Sequence, residues 1–149
     1  MNSLFDAAEL GRTLQRIHSI APDRRPLWGR MNAAQMFAHC RAPLRVARGE
    51  QTLHRTLFWR LFGRLAKRMV LSKRRFGRNL PTDPAFRCTQ VDAAPVERDA
   101  LIEELRRFHE AGPAGLTREP HPFFGRLTPQ EWDTLQWKHI DHHLRQFGV

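Results

Sequence analysis

Three histidines near residue 140 have a spacing that can bind a metal ion. His139 and His143 are four residues apart, and His142 precedes His143 directly. Because an α-helix turns by about 100° per residue, His139 and His143 project from one helix face, one turn apart, where both can bind the same divalent ion. Trp132 and Gln136 share this face, and His142 lies on its flank. His139 and His143 are therefore candidate metal ligands.

A third ligand is expected from another helix, because two imidazoles alone make a weak site. His39 shares one face of a predicted helix with Met36 and Cys40, which predicts that its ring points inward. Pro43 cannot donate the backbone hydrogen bond to the carbonyl of His39, so we expect a distorted turn there. The spacing alone leaves two interpretations open, since an HxxxH pair also arises by chance in a chain with 8 histidines.

Five predicted helices position these residues. They span residues 6–20, 32–48, 53–71, 96–111 and 128–147. The last helix has the clearest start: Thr128 can cap it, Pro129 fits its first turn, and Glu131 stands at the third position of a capping box. Its face opposite to the histidines carries Thr134, Lys138, Asp141 and Arg145.

The long connection at 72–95 is predicted to be irregular because prolines break it, with at most one short strand near 86–91. Amphipathic helices joined by short connections predict an all-α helical bundle. A length of 149 residues fits one domain with a substantial core. We therefore expect residues 1–149 to form a single domain.

The composition narrows the class of protein. Hydrophobic residues make up 41% of the chain, which is typical of a globular protein, and no run of about 18 apolar residues predicts a membrane span. The first residues lack the pattern of a signal peptide, which favours a cytoplasmic protein. Cys40 and Cys88 form no CxxC pair, so a thiolate zinc knuckle is excluded, and a reducing cytosol argues against a disulfide.

The charge is strongly positive, at +10, and 22 of the 25 basic residues are arginine. Such a surplus suggests an anionic partner or a compositional bias of the coding sequence. On the third predicted helix Trp59 and Phe62 alternate with Arg60 and Arg64, a mixture that suits nucleic acid or an anionic membrane surface. A basic, non-catalytic binding module is therefore the alternative function. The absence of a DNA-recognition motif predicts no sequence-specific binding of nucleic acid.

Four stretches of the chain, in this order, resemble the bacterial family DUF1569, which is assigned to the DinB/YfiT-like metalloenzyme superfamily. They are Trp28 to Asn32 (WGRMN), Gln35 to Cys40 (QMFAHC), His121 to Gly125 (HPFFG) and His139 to Gly148 (HIDHHLRQFG). The resemblance implies a four-helix bundle, here with an additional short helix or a long irregular connection. It also implies one divalent ion, usually zinc or nickel, bound by His39, His139 and His143.

The surroundings of such a site limit its chemistry. Ile140 stands where HExxH proteases have their glutamate, which argues against peptide hydrolysis by that mechanism. Metal activation of water or of a thiol remains, and the resemblance implies transfer of low-molecular-weight thiols. We expect a metal-dependent transferase or hydrolase with a small-molecule substrate, an acidic thiol among the candidates. A protein that holds metal without catalysis, and a homodimer, also fit the sequence. Further candidates for the pocket are Met36, Cys40, His121, Trp132, Gln136 and His142.

Overall fold

The computed structural model describes residues 2–52, 66–72, 74–78, 86 and 88–149. Within these ranges the helices are α1 (Ala7–His18), α2 (Ala33–Ala47), α3 (Ala94–Ala111) and α4 (Pro129–Gln146), with a 3-10 turn at Pro113–Gly115. Residues 66–71 are also helical. The described ranges contain no strand, which confirms the all-α prediction for this part of the chain. Residues 53–65, which carry the predicted aromatic and arginine mixture, lie outside the described residues.

Capping residues fix where the helices begin. Asn32 forms a capping box with Gln35 at the start of α2, which agrees with the predicted start of this helix at residue 32. α3 begins at Ala94, two residues earlier than predicted. The reason is Pro95, which lies in the first turn, where its missing N–H leaves no hydrogen bond unmade. Pro43 is accommodated inside α2, which continues to Ala47.

The short strand considered near 86–91 is not found among the described residues of that stretch. Phe86 instead turns its carbonyl towards α2, where it contacts the ring of His39 at 2.9 Å. A carbonyl used in this way does not pair with a neighbouring strand. The stretch therefore serves to hold a side chain of α2.

The helices share an apolar core. α2 packs most extensively against α3 and also contacts α4, while α1 packs on α3 and α4. The largest fully buried side chains come from all four helices and from the residues that follow α1 and α4; they include Ile17, Ile20, Phe37, Leu44, Leu105, Phe108, Trp132 and Phe147. Among the described residues, no helix is both long and apolar enough to cross a membrane.

The face of α4 opposite to the histidines is partly covered by other segments. Thr134 lies on this face with Lys138 and Asp141, as the helical wheel predicts, and only 8% of it is exposed. The N-terminal segment and α1 contact α4 nearby: Leu4 N donates to Asp133 at 2.7 Å, and Arg16 on α1 binds Asp141 at 3.0 Å. A helical wheel gives the face on which a residue lies, but it does not show which face a distant segment covers.

The cap of α4 gives a test of the fold. Thr128 Oγ1 accepts from Glu131 N at 3.2 Å, and Glu131 Oε2 accepts from Thr128 N at 2.8 Å. Replacing Thr128 by Ala removes this acceptor and should lower the free energy of unfolding by about 1 kcal/mol, measured by urea denaturation. Thr128→Ser keeps the hydroxyl and should remain close to wild type. An equal loss in both variants would show that the cap is not responsible.

Candidate metal centre

Three imidazole rings from two helices meet in the interior. His39 comes from α2, whereas His139 and His143 come from α4. One ring nitrogen of each lies within 4.8 Å of the other two, and the Nε2 atoms of His39 and His139 are 2.9 Å apart. Two imidazole nitrogens bound to one ion at about 2.0–2.1 Å lie roughly 3–3.5 Å from each other. The structure thus brings the three predicted residues to a spacing that suits a shared ion.

The ring of His39 is oriented by a backbone carbonyl. Its Nδ1 lies 2.9 Å from the carbonyl oxygen of Phe86. Because a carbonyl only accepts, Nδ1 must carry the hydrogen and donate it. In the neutral ring Nε2 then has a free lone pair, and this atom faces His139. Metal-binding histidines are commonly fixed by such a partner on the second nitrogen.

The ring of His143 is oriented in the same way by a side chain. Its Nδ1 donates to Gln146 Oε1 at 2.8 Å, while Gln146 Nε2 donates to the carbonyl of Trp28 at 2.7 Å. The second bond settles which amide atom of Gln146 faces the ring, since only the nitrogen can donate to a carbonyl. His143 therefore has its hydrogen on Nδ1 and its lone pair on Nε2.

Gly29 makes this arrangement possible. Its backbone φ is +83°, a conformation that L side chains rarely adopt, and a Cβ at this position would lie 2.4 Å from Gln146 Nε2. The loop can therefore approach Gln146 closely only because residue 29 has no side chain. In this way the loop before α2 helps to fix the tautomer of a histidine on α4.

His139 is the ring whose tautomer is free to change. In the metal-free protein its Nε2–H is the donor to His39, because His39 Nε2 has only a lone pair. The Nδ1 of His139 is shielded from solvent and has no partner among the described residues. A divalent ion requires the Nε2 lone pair, and His139 can offer it when the hydrogen moves to Nδ1. All three rings can thus present Nε2 to one ion.

Burial keeps these rings uncharged. It lowers the pKa of His39, against a smaller opposing effect of the hydrogen bond to Phe86. It lowers the pKa of His143 to about 3. The pKa of His139 lies well below its usual value, because of burial first and then repulsion from the other rings. Neutral imidazole is the form that binds metal, so the group is ready for an ion near pH 7 without losing protons to solvent.

A cavity of about 220 Å³ lies beside the three histidines. Its other walls are largely aromatic and include Phe76, Phe86, Phe123 and Phe124. Gln136 also lines it; this side chain is fully buried, and neither of its amide atoms has a hydrogen-bond partner within the described residues. No Asp or Glu is among the described residues that line the cavity. The site therefore offers lone pairs and an amide, without a carboxylate base.

The other predicted pocket residues take different places. Cys40 Sγ lies 3.8 Å from Met36 Sδ, and both side chains are buried in the core outside the three-histidine group. Burial raises the pKa of the Cys40 thiol far above its usual value, so it is no nucleophile. Trp132 is also a core residue. His142 lines the cavity with its ring centroid 5.1 Å from that of His143, but it does not join the group.

His121 anchors a loop at the edge of the cavity. Its Nδ1 accepts from the backbone N–H groups of Phe123 and Phe124, at 3.0 and 3.3 Å. Its ring stacks on Phe124 and is only 6% exposed. The lone pair of Nδ1 holds the loop, so His121 must be neutral for these bonds to form. It is thus a cavity wall and a loop anchor at once.

The two groups that orient the histidines were not found from the sequence. Phe86 acts through its backbone carbonyl, and every residue type has such a carbonyl, so the sequence gives no signal for this contact. Gln146 does leave a signal, because it follows His143 by three residues and so lies on the same side of α4. A search for an acceptor one turn from each candidate ligand would have identified it.

The tautomer of His143 can be tested directly. Nitrogen NMR of the metal-free protein should show hydrogen on Nδ1 of His143, and Gln146→Leu should abolish this preference because the acceptor is lost. The matched control is Gln130→Leu, which changes an exposed glutamine of the same helix. Finding the hydrogen on Nε2 of His143 in the wild-type protein would contradict the assignment.

His121 gives a test by pH. Burial lowers its pKa to about 3, so the folded protein takes up fewer protons than the unfolded chain as pH falls below about 6.5. The stability present above pH 6.5 is therefore lost towards pH 3. His121→Asn keeps an acceptor but does not titrate, and it should reduce the slope of unfolding free energy against pH by up to about 1.4 kcal/mol per unit near pH 5.

The measurement is urea denaturation of metal-free protein between about pH 4 and pH 7. His18→Asn serves as the control, since His18 is exposed at the end of α1. If His121→Asn and wild type show the same slope, His121 is not the neutral anchor described above.

Comparison with protein families gives one match. The chain matches the family described as Protein of unknown function (DUF1569) over residues 3–148. No curated protein and no solved structure matches it. The match includes α1 to α4 and all three histidines of the candidate metal centre. This protein therefore belongs to the DUF1569 family.

Proposed function

We propose that this protein is a metal-dependent enzyme that binds one divalent ion through His39, His139 and His143. The observation that carries the proposal is the meeting of three neutral imidazoles at the wall of a cavity of about 220 Å³. Structural zinc sites are usually closed by four protein ligands, whereas three ligands beside a cavity leave a position for water or substrate. Zinc and nickel are the ions of choice, since both accept imidazole ligands.

The chemistry follows from what the cavity contains. A bound divalent ion lowers the pKa of a water or thiol that binds to it. With no carboxylate in the described lining, the protein offers no strong base, so the substrate must bring an ionisable group of its own. A low-molecular-weight thiol meets this need better than water. Its S–H bond breaks and the proton goes to solvent, the sulfur forms a bond with an electrophilic carbon, and the bond from that carbon to its leaving group breaks, so that the group departs with the electron pair.

The side chains that line the cavity contribute to the proposed reaction in two further ways. The phenylalanine walls exclude water and thereby protect a reactive sulfur from competing reactions. Gln136 offers an unpaired amide donor and acceptor, which can hold a polar group of the substrate. Ile140 follows His139 at the place of the protease glutamate, which supports thiol transfer over peptide hydrolysis.

The proposal also covers superfamily and compartment. One histidine on α2 and an HxxxH pair on α4 agree with the DinB/YfiT-like pattern, and we assign the chain to that superfamily as a single domain of four-helix type. The shared core and the family match over 3–148 support one domain. Cys40 and Cys88 are both free thiols, which supports action in the reducing cytoplasm.

Metal content tests the ligands. Protein purified without a histidine tag, saturated with Zn²⁺ and dialysed, should hold about one ion per chain by elemental mass spectrometry. His139→Ala should lose most of it, because two imidazoles remain. His142→Ala is the matched control, as it removes a buried histidine of the same helix that lies outside the three-histidine group. Equal metal content in both variants would reject the site.

The proposed thiol substrate is tested on wild type and on the two histidine variants, each loaded with Co²⁺ in place of Zn²⁺. A small thiol should change the visible spectrum of the cobalt protein, and conjugation to an electrophile should be lost in His139→Ala. A protein that holds metal but responds to no thiol in a panel would refute the thiol substrate and leave the metal site standing.

A further inference from the structure

A second, larger cavity opens on the other side of α4. This cleft has a volume of about 760 Å³, within the range of small-molecule binding sites. Its walls come from α1, from residues 71, 72 and 74–76, and from α4. The described part of its lining has six basic side chains: Arg12, Arg16, Arg74, Arg75, Lys138 and Arg145. The acidic side chains in the same part are Glu9 and Asp141 alone, so this lining is strongly positive.

The two carboxylates are already fully engaged. Glu9 accepts from Arg12 at 2.6 Å and from Trp137 Nε1 at 2.7 Å, each with a different oxygen. Asp141 likewise uses one oxygen for Arg16, at 3.0 Å, and the other for Arg145, at 2.9 Å. No carboxylate in the described lining of the cleft is therefore left to neutralise its remaining cations.

Three cations of the cleft have no acidic partner within the described ranges. Arg74 and Arg75 are exposed, and neither has an ion-pair or hydrogen-bond partner in the part of the chain that the structure describes. Lys138 Nζ donates to the backbone carbonyls of Val70 and Ser72, which carry no charge, and lies 4.7 Å from the ring centroid of Phe76. These contacts hold the ammonium group in place at the cleft wall without cancelling its charge.

Phe76 connects the cleft with the histidine cavity. Its side chain lines both, with Lys138 over its ring on one side and the ring of His142, 6.0 Å between centroids, on another. A molecule in the cleft that contacts Phe76 is therefore separated by this ring from the cavity that the three histidines line.

We infer that the cleft binds a small molecule with at least two carboxylate or phosphate groups, held by Arg74, Arg75 and Lys138. Arginine pairs with such groups through two parallel hydrogen bonds, which makes it well suited to this ligand. The concave shape favours a compact molecule, because a nucleic acid backbone needs a long open track. In combination with the proposed function, on which this last step alone rests, the anionic end of the substrate occupies the cleft and its reactive end passes Phe76.

The test uses metal-free protein, so that its outcome does not depend on the metal site. Propane-1,2,3-tricarboxylate and inorganic pyrophosphate serve as probes, one for each anionic group, in isothermal titrations at about 50 mM salt, where electrostatic attraction is only partly screened. At least one of them should bind with one molecule per chain. His139→Ala should bind it as wild type does, even if it has lost the metal.

The location is tested with two double variants that lose the same charge. Arg74→Ala with Arg75→Ala should weaken binding about tenfold or more, equivalent to about 1.4 kcal/mol. Arg25→Ala with Arg30→Ala, which changes two exposed arginines outside the cleft, should weaken it less than about threefold. Equal weakening by both pairs would show a general charge effect and overturn the proposal. Failure of both probes to bind would overturn it as well.

A thymidine 12-mer that displaces the bound probe and binds more tightly would assign the cleft to nucleic acid instead.

Discussion

Three imidazole rings with centroids 4.8 Å apart can share the interior of a small protein only while they are uncharged. Adding a proton would place a cation among apolar side chains beside two further rings, at a cost that burial makes large. Each neutral ring still has an N–H that must be satisfied. His39 uses the carbonyl of Phe86 and His143 uses Gln146, so the position of the long connection and the end of α4 both depend on the chemistry of these rings.

The sequence predicted the parts of the site that depend on helical periodicity. The spacing of His139 and His143 and the inward face of His39 follow from 3.6 residues per turn, and the capping residues Asn32 and Thr128 define where their helices begin. Contacts between distant segments could not be predicted in this way. Phe86 acts through its backbone, and the burial of Thr134 depends on segments that no helical wheel includes.

α4 separates two environments that differ in their physical character. On one side it presents His139, His143 and Gln136 to an aromatic cavity, where low polarity keeps the imidazoles neutral. On the other it presents Lys138 and charged neighbours to a wide cleft. The sequence pattern alone indicates that the charged face is the solvent side of an amphipathic helix. In the folded protein α1 and residues 71, 72 and 74–76 turn that face into a concave surface.

Gly29 and Gln146 stand 117 positions apart in the chain, yet a side chain added at position 29 would displace Gln146. A methyl group on residue 29 would occupy the space of the Gln146 amide, whose Nε2 lies 2.4 Å from that point. A side chain at position 29 would push the Gln146 amide, the end of a flexible side chain, away from its place beside His143. It would also strain the backbone at φ +83°, whatever residue stands at position 146. A loop glycine that lies far from the histidines in the sequence is thus one of the residues on which the orientation of the His143 ring depends.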